Sequence, residues 1–218
     1  MAWLNYAFIK SDLETNMKIL AIGRNYAEHI KELNNESSGE PVVFMKPDTA
    51  LLQENDPFYY PEFTNDIHYE VEILLKIAKG GKYIQEKFAH KYYNEIGIGI
   101  DFTARDLQKK AKDKGLPWLL AKGFNGSAPV SGFVPKDQYD LENLNFSLKV
   151  DGQTKQIGNT KMMLFKFDYL ISYLSQYFYL KKGDIIFTGT PKGVGPIQIG
   201  NTLSAYIEDQ KLLECEIK

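Results

Sequence analysis

The chain has 218 residues, 44% of them hydrophobic and 25% charged, enough to bury a substantial core in one large domain. Its formal net charge of -2, with both signs interspersed, gives no electrostatic reason to expect nucleic acid or an anionic membrane as partner. A lone cysteine, Cys215, excludes an internal disulfide and a thiolate metal site, no apolar run reaches the roughly 18 residues of a membrane span, and Met1–Lys18 lacks the apolar core of a signal peptide, so a cytoplasmic protein is expected.

Met17–Ile22 is a short apolar run, and Gly23-Arg24-Asn25-Tyr26 turns out of it into a stretch of helical composition, Ala27–Leu33. His29 and Glu32 stand at i and i+3, neighbours on one helix face. A carboxylate beside an imidazole orients it and stabilises its protonated form, as a general base requires; a solvated surface pair has the same spacing. The polar break Asn34–Gly39 suits a mobile segment. Pro41–Met45 is strand-like and delivers Lys46, either a solvated strand end or a counter-charge for an anionic ligand.

His68-Tyr69-Glu70-Val71-Glu72 reads as a strand continuing through Lys76. Alternation puts Glu70 and Glu72 on one face, roughly 7 Å apart along the backbone. Two carboxylates that close repel unless a cation or a proton lies between them, although an exposed edge strand would tolerate the same pattern. Tyr83–Tyr93 has helical composition, with His90 as a surface residue. Ile96-Gly97-Ile98-Gly99-Ile100 is a second apolar run, ending at Asp101. Three carboxylates offered from strand ends make an all-oxygen site suited to Mg2+ or Mn2+.

Thr103, with Asp106 three residues on, fits a helix N-cap, and Arg105 and Gln108 project from the same side of that helix. An Arg fork at a helix start suits a carboxylate ligand, or a neighbouring acid. Lys109–Lys114 reads as a solvated basic face. Trp118–Phe124 is apolar and carries Lys122, which needs an acidic partner there. Asp151-Gly152 signals a hairpin, Asn159–Tyr179 has helical spacing over five turns, and the C-terminus reads as a hairpin through Asp209-Gln210. The loop Thr188–Pro196 lacks P-loop spacing and precedes no helix, so nucleotide binding is unsupported; the Thr188 and Thr190 hydroxyls and the loop N–H groups suit a small carboxylate or enolate oxygen.

Taken together, Gly23–Glu32, Phe44–Pro47, His68–Glu72, Asp101–Gln108, Lys122–Phe124 and Gly183–Pro196 resemble the fumarylacetoacetate hydrolase superfamily, in its acylpyruvase and oxaloacetate decarboxylase branch. The resemblance implies an α+β, β-rich fold, a mixed β-sandwich roll with peripheral helices, as a single catalytic domain over 1–218 and commonly a homodimer. It implies Mg2+ or Mn2+ on Glu70, Glu72 and Asp101, a water-activating dyad of His29 and Glu32 on a segment that orders with ligand, and Lys122 beside the reacting carbonyl. Arg24, Lys46, Arg105, Gln108 and Thr190 become substrate-binding residues for a small 2-oxo acid. The implied chemistry is C–C cleavage beside that 2-oxo group, by acylpyruvate hydrolysis or oxaloacetate decarboxylation. Alternatives are isomerisation of 2-hydroxy-dienedioates, keto–enol tautomerisation, and a binding protein that keeps the metal for stability. Asn125 and Lys192 depart from the family pattern and are expected to affect substrate size or charge preference.

Overall fold

The structure, a computed structural model, describes residues 17–32, 39–53 and 56–218. The expectations for the first sixteen residues and for most of the polar break lie outside the described residues. Strand β1 (Ile19–Gly23) leads through helix α1 (Ala27–Glu32) to β2 (Val42–Lys46) and β3 (Leu51–Gln53). Two strands, β4 (Ile67–Tyr69) and β5 (Val71–Ile77), flank Glu70, and helix α2 (Glu86–Ala89) precedes β6 (Tyr93–Ile100). Next come β7 (Thr103–Ala104), α3 (Arg105–Asp113), α4 (Leu119–Lys122), β8 (Ala128–Val130) and β9 (Val134–Pro135). Strands β10 (Asn145–Val150) and β11 (Gln153–Asn159), helix α5 (Phe167–Tyr177) and strands β12 (Ile185–Phe187), β13 (Gly195–Pro196), β14 (Thr202–Ile207) and β15 (Gln210–Glu216) complete it.

One mixed sheet runs β2-β1-β12-β5-β6-β8-β3, with β9 also paired to β6. A four-stranded sheet, β11-β10-β14-β15, packs across it, and β13-β4-β7 form a third, small sheet. The alternation of β5 and β6 explains how the large sheet is buried on both faces. Val71, Ile73, Leu75, Ile96, Ile98 and Ile100 enter the major core with Phe146, Leu148, Leu203 and Leu213 of the four-stranded sheet and Leu170 and Leu174 of α5. Leu74 points the other way, into a second cluster with Ile19, Ala21, Ile185 and Phe187. Gly99 makes that second layer possible: a Cβ there would stand 2.9 Å from both Leu74 Cδ1 and the Pro129 carbonyl oxygen. The result is the expected β-rich sandwich roll, with helices at its periphery.

Cys215 is buried in the major core, and burial pushes its thiol up to about 12, as suits a packing residue. The Asp151-Gly152 turn forms the expected hairpin, with φ of 50° and 77° at the two positions. Four local expectations need correction. Only Glu86–Ala89 is helical within Tyr83–Tyr93, because Tyr93 is claimed by the β6 ladder opposite Ile77. Helix α5 starts at Phe167, since Asn159 is still paired with Asn145 and its side chain caps a single 3-10 turn. The last turn is Glu208-Asp209, with Gln210 already paired to Ile207. Thr103 does not cap α3: Ala104 holds the N-cap position, and the Thr103 hydroxyl donates to the Asp101 carbonyl and accepts from Lys122.

Candidate active site

The strand expected through Glu70 and Glu72 is two strands, and Glu70 is the hinge between them. Val71 pairs with Ile100 and Glu72 with Gly99, and the Asp101 N–H donates to the Glu70 carbonyl at 2.8 Å. That register sets Asp101 in the phase of Gly97 and Gly99, away from the isoleucines, so it emerges on the same face as Glu70 and Glu72. Carboxylate oxygens of the three residues lie within 4.8 Å of one another, and all three side chains are buried.

Buried anions require counter-charges, and the chain supplies them. The Lys122 ammonium donates to Asp101 Oδ2 at 2.5 Å, Glu70 Oε2 at 2.9 Å and Thr103 Oγ1 at 2.6 Å. Burial favours discharging Lys122, but Asp101 and Glu70 overcome it and hold its pKa above the ordinary lysine value. Arg105 donates to Glu70 Oε1 and to Gln108 Oε1, each at 2.7 Å. Against the opposing effect of burial, Lys122, Arg105 and His29 draw the Glu70 carboxyl far below the usual carboxylate range. Glu72 has a different setting. Its Oε2 accepts the Gly189 N–H at 2.7 Å, and burial with the Asp101 and Glu70 charges pushes its carboxyl well above the usual range. Gly189 has φ of 103°, and a Cβ there would stand 2.6 Å from Asn25 Cβ, so the loop can present this N–H only with glycine.

Three hard, buried oxygen donors that still repel one another at Glu72 fit a divalent cation, which relieves that repulsion without a proton. The acidic cluster could hold such an ion among residues already fixed by the sheet register.

Helix α1 sets the other wall. His29 Nδ1 and Glu32 Oε2 are 3.0 Å apart, which leaves Nε2 of this buried imidazole as the nitrogen available to the pocket. Glu32 Oε1 accepts the Gly193 N–H at 2.9 Å, so the Gly-rich loop orients the carboxylate that orients the imidazole. Asn25 anchors the start of the helix: its side chain donates to the Phe165 and Thr188 carbonyls and accepts from the Phe165 N–H. Neighbouring Arg24 has φ of 61°, a left-handed backbone in a residue with a full side chain, of the kind concentrated at functional sites.

Arg24, His29, Glu70, Glu72, Asp101, Arg105, Gln108, Lys122 and Thr190 line one cavity of about 390 Å3, counting its mouth. Thr190 donates its hydroxyl to the Val71 carbonyl and accepts from Gln156, a buried residue whose role the sequence did not signal. Lys46 lies behind the cavity. It is 2.8 Å from Asp101 Oδ1 and donates to Ser127 Oγ, to the Ser127 carbonyl and, in a very short contact, to the Lys122 carbonyl. Burial lowers its pKa although Asp101 opposes the effect. Its position is that of a fixed counter-charge to Asp101. Lys112, Trp118 and Phe44 also line the cavity and were missed: the basic run around Lys112 resembles a solvated face, and the aromatic residues resemble core. Of the two departures, Lys192 pairs with Glu28 at 2.8 Å beside the dyad, whereas Asn125 is exposed and lies with Phe58 and Phe124 away from the cavity.

Sandwich roll, acidic cluster and imidazole–carboxylate pair define a metal-binding enzyme built on an FAA-hydrolase type of fold. Residues 18–218 match the fumarylacetoacetate (FAA) hydrolase C-terminal family, and the chain belongs to that family. A mitochondrial oxaloacetate decarboxylase of Dictyostelium discoideum is 46% identical over 196 residues, covering 89% of this chain and 90% of that one. The mitochondrial oxaloacetate tautomerase FAHD1 of Bos taurus is 44% identical over 195 residues, covering 89% and 88%. Among solved structures, fumarylpyruvate hydrolase from Pseudomonas aeruginosa, in complex with Mn2+ and pyruvate, superposes with a TM-score of 0.86 at 33% identity, covering 92% of this chain and 88% of that one. The described residues contain no helix long and apolar enough to cross a membrane.

Proposed function

We propose that this protein is a Mg2+- or Mn2+-dependent enzyme that cleaves a C–C bond beside a 2-oxo acid, with acylpyruvates and oxaloacetate as its substrate class. The observation that carries the reading is the meeting, in one cavity, of the Glu70–Glu72–Asp101 cluster and the His29–Glu32 pair. The relatives named as an oxaloacetate decarboxylase and a fumarylpyruvate hydrolase with Mn2+ and pyruvate support it.

A divalent cation on the three carboxylates supplies an electron sink for charge developing on the 2-oxo oxygen. The chain's own groups do the rest. Arg105, oriented by Gln108 and Glu70, and Lys122 hold the substrate's C1 end. His29 takes a proton from water through Nε2 while Glu32 holds Nδ1, and the hydroxide adds to the distal carbonyl of an acylpyruvate. The bond between C3 and that carbonyl then breaks; one water is consumed and pyruvate and a carboxylic acid are released. With oxaloacetate the same bond breaks by loss of CO2, C3 gains a proton, and no water is added.

A second reading, keto–enol tautomerisation of oxaloacetate, is supported by the relative from Bos taurus that bears this name. It uses the same electron sink with proton transfer at C3 and leaves the carbon chain whole. Exposed Leu116, Leu119 and Leu120 beside the cavity wall support a homodimer, which light scattering tests. Fractionation decides between a cytoplasmic location and the mitochondrial address in the relatives' names. The functional test is pyruvate release from acetylpyruvate and from oxaloacetate, side by side, with Mg2+, Mn2+ or EDTA, alongside the enol absorbance of oxaloacetate.

A further inference from the structure

Strand β4 lies directly under the Arg105 side chain. Ile67 and Tyr69 enter the major core, so alternation turns Asp66 and His68 the other way. The β4–β7 ladder pairs His68 with Thr103, and the Arg105 N–H donates to the Asp66 carbonyl at 2.7 Å, which sets Arg105 across from Asp66. From there the Arg105 guanidinium reaches Glu70 Oε1, further along the same stretch, at 2.7 Å. Its stem therefore passes the position of His68.

Each of these two side chains has one nitrogen left over. Arg105 donates through Nη1 to Gln108 and through Nη2 to Glu70, while its buried Nε–H has no hydrogen-bond partner among the described residues. His68 places Nε2 at 2.9 Å from Asp66 Oδ1, and its buried Nδ1 has no partner among them either. An ionised carboxylate only accepts, so Nε2 carries the proton and Nδ1 of the neutral ring is an acceptor. Burial and the Arg105 charge favour that neutral ring, although Asp66 opposes them. The two leftover atoms are complementary, one donor and one acceptor, in a place where an unmade hydrogen bond is costly.

We propose that His68 is a positioning residue for Arg105: its Nδ1 accepts the Arg105 Nε–H, directly or through one water, and so fixes the plane of the guanidinium. Gln108, Glu70 and His68 then engage all three guanidinium nitrogens, and Asp66 acts one step further out by holding the ring's tautomer. The bond-breaking chemistry does not pass through His68. The pairing is a property of the folded chain; its consequence for a substrate carboxylate rests on the 2-oxo acid reading of the cavity.

The chain has only two arginines, Arg24 and Arg105, so proton–nitrogen spectra of protein isotope-labelled at arginine hold two Nε–H signals, and Arg105→Lys identifies the one to follow. Hydrogen exchange of that signal is measured on the Mg2+-loaded full chain, together with the dissociation constant of pyruvate by calorimetry. Three variants separate the roles of the two ring nitrogens. His68→Asn keeps an acceptor at the Nδ1 position, His68→Gln keeps a donor to Asp66 at the Nε2 position, and His68→Phe keeps neither. The Arg105 Nε–H is expected to exchange at least about tenfold more slowly in the parent and in His68→Asn than in His68→Gln and His68→Phe. Pyruvate should bind His68→Asn within about threefold of the parent, and the other two variants about threefold to thirtyfold more weakly. Fast exchange in the parent, protection in His68→Gln equal to the parent's, or His68→Asn no better protected than His68→Gln would each overturn the pairing. Protection lost with pyruvate binding unchanged would overturn the positioning role. No binding of pyruvate by the parent would remove that role together with the 2-oxo acid reading, while the exchange rates still decide the pairing.

Discussion

The Nζ of Lys122 lies 2.5 Å from Oδ2 of Asp101 and 2.9 Å from Oε2 of Glu70, two of the three clustered carboxylates that a divalent cation would also seek as ligands. Lysine and metal are therefore two partial answers to the same buried negative charge. Removing one partner of a buried ion pair costs about 3–5 kcal/mol, because the other charge is left without compensation. Lys122→Met is expected to melt well below the parent in EDTA and to gain more from added Mg2+ than the parent gains. Thermal melts of both proteins across Mg2+ concentrations check this. A smaller Mg2+ response in the variant than in the parent would mean that the ammonium and the cation do not share the cluster.

Glu72 gives the metal-free protein a defined pH response. Burial and the charges of Asp101 and Glu70 raise its carboxyl above the ordinary value of 4.5, so above that pH the native state keeps a proton that the unfolded chain has released. Stability in EDTA therefore falls as pH rises from 4.5 towards the native-state value, and the full cost applies beyond it. Glu70, whose carboxyl is lowered, contributes stability that is lost progressively as pH falls below 4.5, outside that window. Glu72→Gln should flatten the decline in EDTA melting temperature as pH rises above 4.5, and should also reduce the stabilisation by Mg2+. Melts with and without EDTA across that range decide the matter, and an unchanged slope in the variant would exclude Glu72 as its source.

The His29–Glu32 contact of 3.0 Å divides the two cleavage reactions. Only hydrolysis needs an activated water, so His29→Ala should lower kcat for acetylpyruvate by about a hundredfold to ten-thousandfold, with a clearly smaller loss for oxaloacetate. Glu32→Gln should fall between parent and His29→Ala on acetylpyruvate, because the imidazole keeps a hydrogen-bond partner and loses the neighbouring charge. Equal losses on both substrates would assign the pair a role common to both reactions.

Much of the site was legible because it follows short periodicities. The pair at 29 and 32 needs only helical spacing, and Glu70 with Glu72 only the alternation of extended chain. Asp101 joins them through the β5–β6 register, which the glycine–isoleucine alternation before it anticipates. Lys46 and Lys122 were recognisable as charged residues at the ends of apolar runs, but not that Lys46 would sit behind the cavity bonded to backbone carbonyls. Gln156 and Asn25 were not legible at all. Their functions are bonds to residues 34 and 163 positions away, to Thr190 and Thr188, and no local pattern encodes such a contact. The overlong helices at Tyr83–Tyr93 and Asn159–Tyr179 failed for a related reason: strand pairing claimed their ends.

The most direct measurement is pyruvate release by the parent and by Glu70→Ala, from acetylpyruvate and oxaloacetate, with Mg2+, Mn2+ or EDTA, after subtraction of the metal-only background. A metal-dependent lyase or hydrolase of this kind should show metal-dependent release by the parent, loss of that release in EDTA, and none above background from Glu70→Ala despite a folded protein. Release that persists undiminished in EDTA or in Glu70→Ala, or no release from either substrate by the metal-loaded parent, would contradict that assignment.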